Sequence, residues 1–444
     1  MQRKFNRTDS FLTAPHLILG MVVFIFGLVG VGCQKAVETV DTAVITPTLF
    51  PPPPTIAATS TSTPLGVETA VPTTTPTSSP QTPIPTNTPT PNYPIYQGAP
   101  LQSDLMGIQL HLRDEDQDEI FEHLDRLGMG WVKVQISWKL YQPYPDDFHA
   151  ERFAELDQFV ATANAHNIKV LLGVSKAPEW SRPTTELDGP PSDFAHFETF
   201  MAFLAARYQG QVAAYELWNE PNLMREWNGR SLNAADLVEL IRFGANGVRQ
   251  HDPNAILISA APATTGINDG ISAIDDRVYL RNMLDAGLAN YINAIGAHPY
   301  GWANPPDSSF ANPAPHTVGH NDHPSFFFTD TLNDYTAIMN ESGTSLPIWV
   351  TEFGWGSFDG LDAPPPPGVE YMGNVTAWQQ AEYTLRAYEL AQTNNQIGPL
   401  FLWNLNFGPL LGNDFPESGY SLLTRDNSPR PSYLAFLAAL SNHE

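Results

Sequence analysis

The chain has 444 residues, of which 42% are hydrophobic and 11% aromatic, so it can bury the core of one large domain with accessory segments. Its formal net charge of -25 argues against nucleic acid as a partner, because a phosphate backbone would be repelled. The single cysteine rules out an intrachain disulfide and a cysteine-based zinc site.

The first element, residues 1–33, predicts an export signal. Basic residues within 3–7 precede an apolar, uncharged stretch at 17–32, which is shorter than the roughly 20 residues of a spanning helix. The segment resembles a bacterial lipoprotein signal, in which cleavage leaves a lipidated cysteine, here Cys33, at the new N-terminus. Gly30 stands where that signal usually has Leu, so a retained membrane anchor and simple secretion stay open. We expect an extracellular or cell-surface protein that is lipid-anchored to the membrane.

Residues 34–98 have a different composition, rich in Pro, Thr and Ser, with very few charges. They lack the apolar periodicity of a core-forming element, which predicts a disordered linker. Proline favours the extended polyproline II conformation, so this linker would act as a semi-rigid stalk that holds the next domain away from a membrane.

Residues 99–444 alternate short apolar runs with amphipathic stretches, which predicts an α/β fold. Eight such runs alternating with helices fit a (β/α)8 TIM barrel, and no G-x-G-x-x-G follows the first run to favour a doubly wound sheet. The longest irregular stretch, 301–330, follows the sixth run, and in a barrel it would lie beside the active site. The predicted strands lie within 105–111, 131–137, 168–174, 212–220, 255–261, 292–300, 346–353 and 399–405.

Two glutamates stand at the ends of predicted strands. Glu220 lies in W-N-E-P-N after the fourth strand, and Glu352 lies in T-E-F-G-W after the seventh. Both strand ends belong to the catalytic face of a barrel, where the two carboxylates could meet across the mouth. Glycosidic bond cleavage requires such a pair, and mutual repulsion should raise the pKa of one of them so that it serves as the acid.

The domain resembles clan A of the glycoside hydrolases, whose members carry N-E-P after strand four and a Glu after strand seven. Within that clan, A-P-E-W at 177–180 and L-W-N-E-P-N look most like family 39 and its relatives, with family 5 cellulases next. The resemblance implies a retaining hydrolase of β-linked oligo- or polysaccharides. It makes Glu220 the acid/base and Glu352 the nucleophile, and it assigns Asn219 to the sugar 2-hydroxyl.

The same resemblance extends to other strand ends. His298-Pro299-Tyr300 ends strand six, where a clan Tyr contacts the nucleophile, and Trp403 ends strand eight, where an aromatic residue forms the floor of the sugar site. Many members also carry an arginine on strand two that supports the nucleophile. Here Lys133 stands near that place, and we expect it to pair with Glu216 inside the barrel in a structural role.

Further candidates for substrate contact follow from position alone. Trp138 ends strand two and Trp180 follows strand three, so each could stack on a sugar ring or pack in the core. His111 ends strand one at the catalytic face and could contact substrate or bond within the barrel mouth.

The sequence offers no case for a metal or another cofactor. His316, His320 and His323 form H-x3-H-x2-H, but Pro and Gly interrupt the segment, so a loop is the better interpretation. Motifs of an esterase, a P-loop enzyme and a zinc protease are absent. Two alternatives use the same site, a transglycosylase and a barrel that binds carbohydrate without cutting it. A carbohydrate is the expected partner, and we expect a monomer.

Overall fold

The computed structural model describes residues 98–112, 116–315 and 319–440. The predicted export signal, Cys33 and nearly all of the predicted linker lie outside these ranges. Eight strands occur in the described residues, and each overlaps one predicted run. They are β1 (Met106–Leu110), β2 (Trp131–Ser137), β3 (Lys169–Ser175), β4 (Ala214–Leu217), β5 (Ile256–Ser259), β6 (Ile295–Ala297), β7 (Ile348–Phe353) and β8 (Ile397–Leu402).

The strands form one parallel sheet in the order β5-β4-β3-β2-β1-β8-β7-β6. Its two ends approach each other, because single parallel bridges join Ile258 to Ala294 and Ala263 to His298, which link the β5 and β6 segments. Helices follow the strands along the chain, as in βαβ units. The fold is therefore the (β/α)8 barrel that the sequence predicts.

Ten α-helices occur in the described residues. Several begin with a side-chain cap, and α8 has a full capping box in which Thr376 and Gln379 each bond the other's backbone amide. The helices are α1 (Gln117–Arg126), α2 (Trp138–Tyr141), α3 (Ala150–Ala165), α4 (Ala195–Arg207), α5 (Ala234–His251), α6 (Asp276–Asp285), α7 (Phe328–Glu341), α8 (Ala377–Gln392), α9 (Phe407–Leu411) and α10 (Pro431–Leu440). Among the described residues, no helix combines the length and the apolar character that crossing a membrane requires.

The barrel interior is layered from an apolar floor to a polar layer. The period of two along a strand places alternate side chains inside, so Trp131 in the floor is followed by Lys133 above it. Gly173 leaves room for this polar layer, since a Cβ there would lie 3.2 Å from Oε2 of Glu216. The apolar floor consists of Trp131, Leu171, Ala214, Ile258, Ala294, Trp349 and Phe401.

A buried arginine holds the loops that follow β7 and β8. Arg430 is fully buried just before α10, and its Nη1 donates to three carbonyl oxygens of the β8 loop at 2.7–3.0 Å. Its Nη2 donates 2.6 Å to the carbonyl oxygen of Ser357 in the β7 loop. One side chain thus ties together two walls of the barrel mouth. The β8 carbonyls belong to Ser418, Gly419 and Ser421.

Candidate active site

The two glutamates reach the barrel mouth by different backbone routes. Glu352 lies within β7, whereas β4 ends at Leu217 and Glu220 stands in the turn that follows. Trp218 and Glu220 have positive φ values of 91° and 41°, a region that side chains rarely adopt and that clusters at functional sites. The Glu220 amide donates 3.1 Å to the carbonyl oxygen of Ala261, which fixes this turn against the β5 segment.

Both carboxylates meet at one histidine. Nδ1 of His298 lies 3.3 Å from Oε1 of Glu220 and 3.9 Å from Oε2 of Glu352. The two oxygens cannot be farther apart than the sum of these distances, a limit that accommodates the roughly 5–5.5 Å between the carboxyl groups of retaining glycosidases. The fold therefore brings together the pair that the sequence singles out.

Glu352 is held by three donors. Nζ of Lys133 lies 3.2 Å from its Oε1, and the Tyr300 hydroxyl donates 3.1 Å to its Oε2. The Gln109 side-chain amide is oriented so that both of its polar atoms have a hydrogen-bond partner. Its nitrogen donates 3.1 Å to the same Oε1, and its oxygen accepts from Nε1 of Trp403 at 3.2 Å. These contacts fix the carboxylate in one orientation at the bottom of the mouth.

Lys133 links Glu352 to the polar layer beneath it. Its Nζ lies 2.8 Å from Oε2 of Glu216 and donates 3.1 Å to the carbonyl oxygen of Thr351. Burial would lower the pKa of Lys133, but the charges of Glu216 and Glu352 outweigh it and raise the pKa. The expected pair with Glu216 is present. The direct contact with Glu352 goes beyond the structural role that the sequence suggests.

The charges around Glu220 differ from the expectation. Nη2 of Arg225 lies 2.9 Å from its Oε2. Burial would raise the pKa of Glu220, but the His298 hydrogen bond and the Arg225 charge outweigh it and lower the pKa to about 2. Burial likewise opposes ionisation of His298, yet the charges of Glu352 and Glu220 raise its pKa. The prediction that repulsion raises the pKa of the acid is therefore wrong for Glu220, because cations compensate the two anions.

Aromatic rings surround the carboxylates. Trp403 follows β8, and its ring lies 5.1 Å from Tyr420 and 6.3 Å from Tyr300. Tyr300 also lies 5.8 Å from Tyr420, so the three rings form one aromatic wall beside Glu352. Flat apolar ring faces of this kind suit contact with the C–H face of a sugar.

Asn219 and His111 also lie at the barrel mouth. Asn219 is only 4% exposed, and its Oδ1 accepts no hydrogen bond, which is compatible with a bond from a ligand hydroxyl. The backbone of His111 exchanges two 3.0 Å hydrogen bonds with the Asn406 side chain, and its ring lies 3.8 Å from Phe407. The structure thus ties His111 to the loop after β8, and its contact with substrate stays a prediction.

The structure corrects the expectation for Trp138. The chain turns into the short helix α2 at this residue, and the indole packs against α4. The side chain is fully buried, stacks 5.1 Å from Phe200 and donates 2.8 Å to Oε1 of Gln142. Trp138 is therefore a packing residue. Trp180 is half-buried, packs edge-on against Trp138 at 6.3 Å, and stays a prediction as a sugar contact.

The histidines after β6 serve packing in the loop. His320 stacks on Trp302 with ring centroids 5.5 Å apart, and His323 accepts 3.2 Å from the Ser325 amide. His316 lies outside the described residues. Among the residues that the structure describes, no group of three or more His, Cys, Asp or Glu side chains could hold a metal ion.

Sequence reasoning missed three residues at the site, namely Gln109, Arg225 and Tyr420. A polar Gln109 within the apolar strand β1 was a signal, because the period of two puts it on the same side of the strand as His111. Arg225 and Tyr420 gave no signal, since their places depend on irregular loops after β4 and β8.

Comparison with known proteins agrees with this geometry. The sequence profile of the cellulase family (glycosyl hydrolase family 5) matches residues 95–407. No curated protein matches the chain. Among solved structures, a family 39 glycoside hydrolase from Bacteroides cellulosilyticus WH2 has a TM-score of 0.56 at 23% identity and covers 77% of this chain. The chain covers 64% of that structure.

Two other solved structures share the fold at lower identity. One, from Streptomyces cattleya, is a family 5 enzyme in complex with Manβ1-4GlcNAc, with a TM-score of 0.53, 15% identity and coverage of 78% of this chain and 81% of that one. The other is an exo-β-1,4-mannosidase from Opitutaceae bacterium strain TAV5, with a TM-score of 0.51, 16% identity and coverage of 76% and 59%. The family profile spans most of the barrel. It favours family 5, whereas the sequence resemblance ranks family 39 first and family 5 second. The chain therefore belongs to the cellulase family, glycosyl hydrolase family 5, within clan A, and is a glycoside hydrolase.

Proposed function

We propose that this enzyme cleaves a β-linked oligo- or polysaccharide by double displacement, with Glu352 as the nucleophile and Glu220 as the acid/base. The observation that carries the proposal is the convergence of both carboxylates on His298, with Glu352 also held by Lys133, Tyr300 and Gln109. Two carboxyl groups that both contact one histidine are compatible with the roughly 5–5.5 Å separation of the retaining reaction.

In the first step, a Glu352 oxygen attacks the anomeric carbon and the bond to the glycosidic oxygen breaks. Glu220 gives a proton to that oxygen, so the leaving group departs as a neutral alcohol. In the second step, Glu220 takes a proton from water, whose oxygen attacks the same carbon and releases Glu352. Each step inverts the anomeric carbon, so the product keeps the configuration of the substrate.

His298 supports the proton balance of this cycle. Its raised pKa and its 3.3 Å hydrogen bond allow it to hold a proton beside Glu220. Movement of that proton to Oε1 of Glu220 would leave a neutral imidazole and a neutral carboxylic acid. The cluster thus holds the proton that the first step needs, although the pKa of Glu220 itself is low.

The nucleophile assignment is tested by chemical rescue. Glu352→Ala should lose turnover, and added azide should restore it with a glycosyl azide of inverted configuration, because azide then fills the space of the missing carboxylate. Glu220→Ala is the matched control, and with an activated aryl glycoside it should give an azide of retained configuration. Normal hydrolysis by Glu352→Ala would refute the assignment. Sugar binding without cleavage by the unaltered enzyme would favour the non-cleaving barrel, and transfer to added acceptors would favour a transglycosylase.

We also propose that the enzyme is exported and held at the cell surface by lipid on Cys33, with residues 34–98 as a stalk. The support is the order of a charged segment, an apolar stretch, a cysteine and a proline-rich run. Labelled palmitate should enter the expressed full-length protein but not the Cys33→Ser variant, and equal labelling of both would refute the anchor.

A further inference from the structure

Both oxygens of the Glu220 carboxylate face a donor. Oε1 lies 3.3 Å from Nδ1 of His298, and Oε2 lies 2.9 Å from Nη2 of Arg225. A general acid must carry a proton on one oxygen and direct it at the departing glycosidic oxygen. A proton on the Glu220 oxygen that accepts from Arg225 would face the protons of that guanidinium instead of the substrate. His298 can pass its proton to Oε1 and stay in place as an acceptor, whereas Arg225 keeps its protons, so a proton on Oε2 that faces the substrate requires Arg225 to withdraw.

The surroundings of His298 and Arg225 indicate which of the two can withdraw from Glu220. His298 is fully buried, and its ring nitrogens lie within 3.9 Å of oxygens of Glu216, Glu220 and Glu352, so the fold holds it in place. Arg225 stands on the loop between β4 and α5, and its side chain is 28% exposed. Arg225 is thus the more exposed of the two neighbours and the one that can move.

A second acceptor for Arg225 lies next to it in the chain. Glu226 is 3% exposed, and its Oε2 has no hydrogen-bond partner. Burial raises the pKa of Glu226 to about 7, although the charges of Lys176 and Arg225 oppose this shift. A buried carboxylate oxygen without a donor is costly, so a guanidinium that approached it would be stabilised.

We propose that Arg225 is a positioning residue for the acid/base step. Arg225 occupies the leaving-group side of Glu220 until the leaving-group half of the substrate displaces it toward Glu226. This inference rests on the proposed role of Glu220. It makes proton donation depend on a leaving group large enough to fill this side of the mouth. A sugar or another bulky alcohol would thus activate the acid, whereas a small leaving group would not.

The charges around Glu220 determine how displacement of Arg225 would change its protonation. Arg225 and His298 are the cations beside it, and Glu226 and Glu352 are the nearest anions. Beyond them, Lys176 and Asp188 face Glu226 from the loop after β3, and Glu417 faces Arg225 from the loop after β8. Without Arg225, burial and the remaining anions would raise the pKa of Glu220 toward a value suited to an acid.

The control exerted by Arg225 can be measured without turnover. In the full-length protein labelled with [δ-13C]glutamate, the Glu220 carboxyl signal is assigned by its loss in Glu220→Gln, and its titration is followed by NMR. Arg225→Met should raise the pKa of Glu220 by about 1–3, the usual effect of removing an adjacent cation. Arg225→Lys should retain much of the depression. Arg230→Met, which removes another cation of this loop that is paired with Asp236 of α5, should leave the titration of Glu220 unchanged. Equal Glu220 titration in Arg225→Met and the unaltered protein would overturn the proposal.

The effect of Arg225 on acid catalysis is tested with phenyl and 2,4-dinitrophenyl β-glucosides, β-xylosides and β-mannosides. Arg225→Met should raise kcat/KM for the phenyl glycoside, because its departure needs a protonated Glu220, and leave kcat/KM for the dinitrophenyl glycoside unchanged. Equal changes for both leaving groups would contradict the proposal. Failure of the proposed function would look different, because the unaltered enzyme would then hydrolyse none of these glycosides, while the NMR titration would still report on Arg225.

Discussion

At the residue scale, the contacts of Lys133 explain how a lysine serves where many clan members carry arginine. A lysine ammonium has three protons, and Nζ of Lys133 lies within 3.2 Å of three acceptors, on Glu216, Glu352 and Thr351. The second anion, Glu216, balances the buried cation and is itself bonded by the Thr351 hydroxyl at 2.6 Å. Lys133 therefore positions Glu352, the proposed nucleophile, through one direct bond.

Two variants distinguish the role of Lys133 in positioning Glu352 from its contribution to the stability of the fold. Lys133→Met leaves Glu216 buried without its cation, which should cost about 3–5 kcal/mol in the free energy of unfolding. It should also lower kcat roughly 10- to 100-fold, because a charged hydrogen bond to Glu352 is lost. The double variant Lys133→Met with Glu216→Met should recover stability in urea unfolding but not kcat. If kcat returned together with stability, Lys133 would be only structural.

At the element scale, the sequence predicts the strands well because each is a short apolar run bounded by turns. It also locates Glu220 and Glu352, whose flanking motifs are local. The helices α6 and α7 have weaker local signals, since residues 276–285 carry many polar side chains and residues 328–341 follow an irregular loop. The error for Trp138 has the same origin, because a strand end and a one-turn helix cannot be told apart from four residues.

The rest of the site depends on contacts between distant elements. Gln109 in β1 meets Glu352 in β7 and Trp403 after β8, and no local pattern announces that meeting. The charge around Glu220 depends on Arg225, whose loop conformation is set by bonds to the loop after β5, such as that from the Met224 amide to the Ser272 carbonyl oxygen at 3.0 Å. Sequence periodicity therefore gives the scaffold, and local motifs give the two carboxylates, but neither gives the charges that surround Glu220.

Arg430 should be essential to the order of the β7 and β8 loops. Arg430→Met should leave their bonded carbonyl oxygens unpaired, at about 1–3 kcal/mol for each one kept from water. The variant should unfold at a lower temperature and be cut faster by protease in these loops. The exposed Arg425 of the same segment supplies the control, Arg425→Met, which should behave like the unaltered protein. Unchanged melting of Arg430→Met would contradict the role of this residue.

At the scale of the whole molecule, the acidic composition places several carboxyls in buried positions. Glu417 in the loop after β8 is 1% exposed, and neither of its carboxylate oxygens has a hydrogen-bond partner. Burial raises its pKa from the ordinary value of 4.5 to about 7. The folded protein keeps this proton up to about pH 7, whereas the unfolded chain releases it near 4.5, so stability falls as the pH rises through this interval.

Glu417→Gln should remove this part of the pH dependence. At pH 8 the variant should be more stable than the unaltered protein by up to roughly 3 kcal/mol, because no buried charge forms. At pH 4.5 the two proteins should unfold at similar urea concentrations, since Glu417 is then neutral. Parallel stability profiles across this range would show that Glu417 does not titrate as the structure indicates.

The proposed mechanism depends on a covalent bond between the sugar and Glu352, and mass spectrometry of a trapped intermediate tests it most directly. A 2-deoxy-2-fluoro β-glycoside with an activated leaving group should add one fluorosugar to the protein, because fluorine slows both steps and the activated leaving group restores only the first. Peptide mapping should place that sugar on the carboxyl of Glu352 in the sequence T-E-F-G-W. A sugar on Glu220, or product of inverted configuration with no adduct, would contradict the assignment.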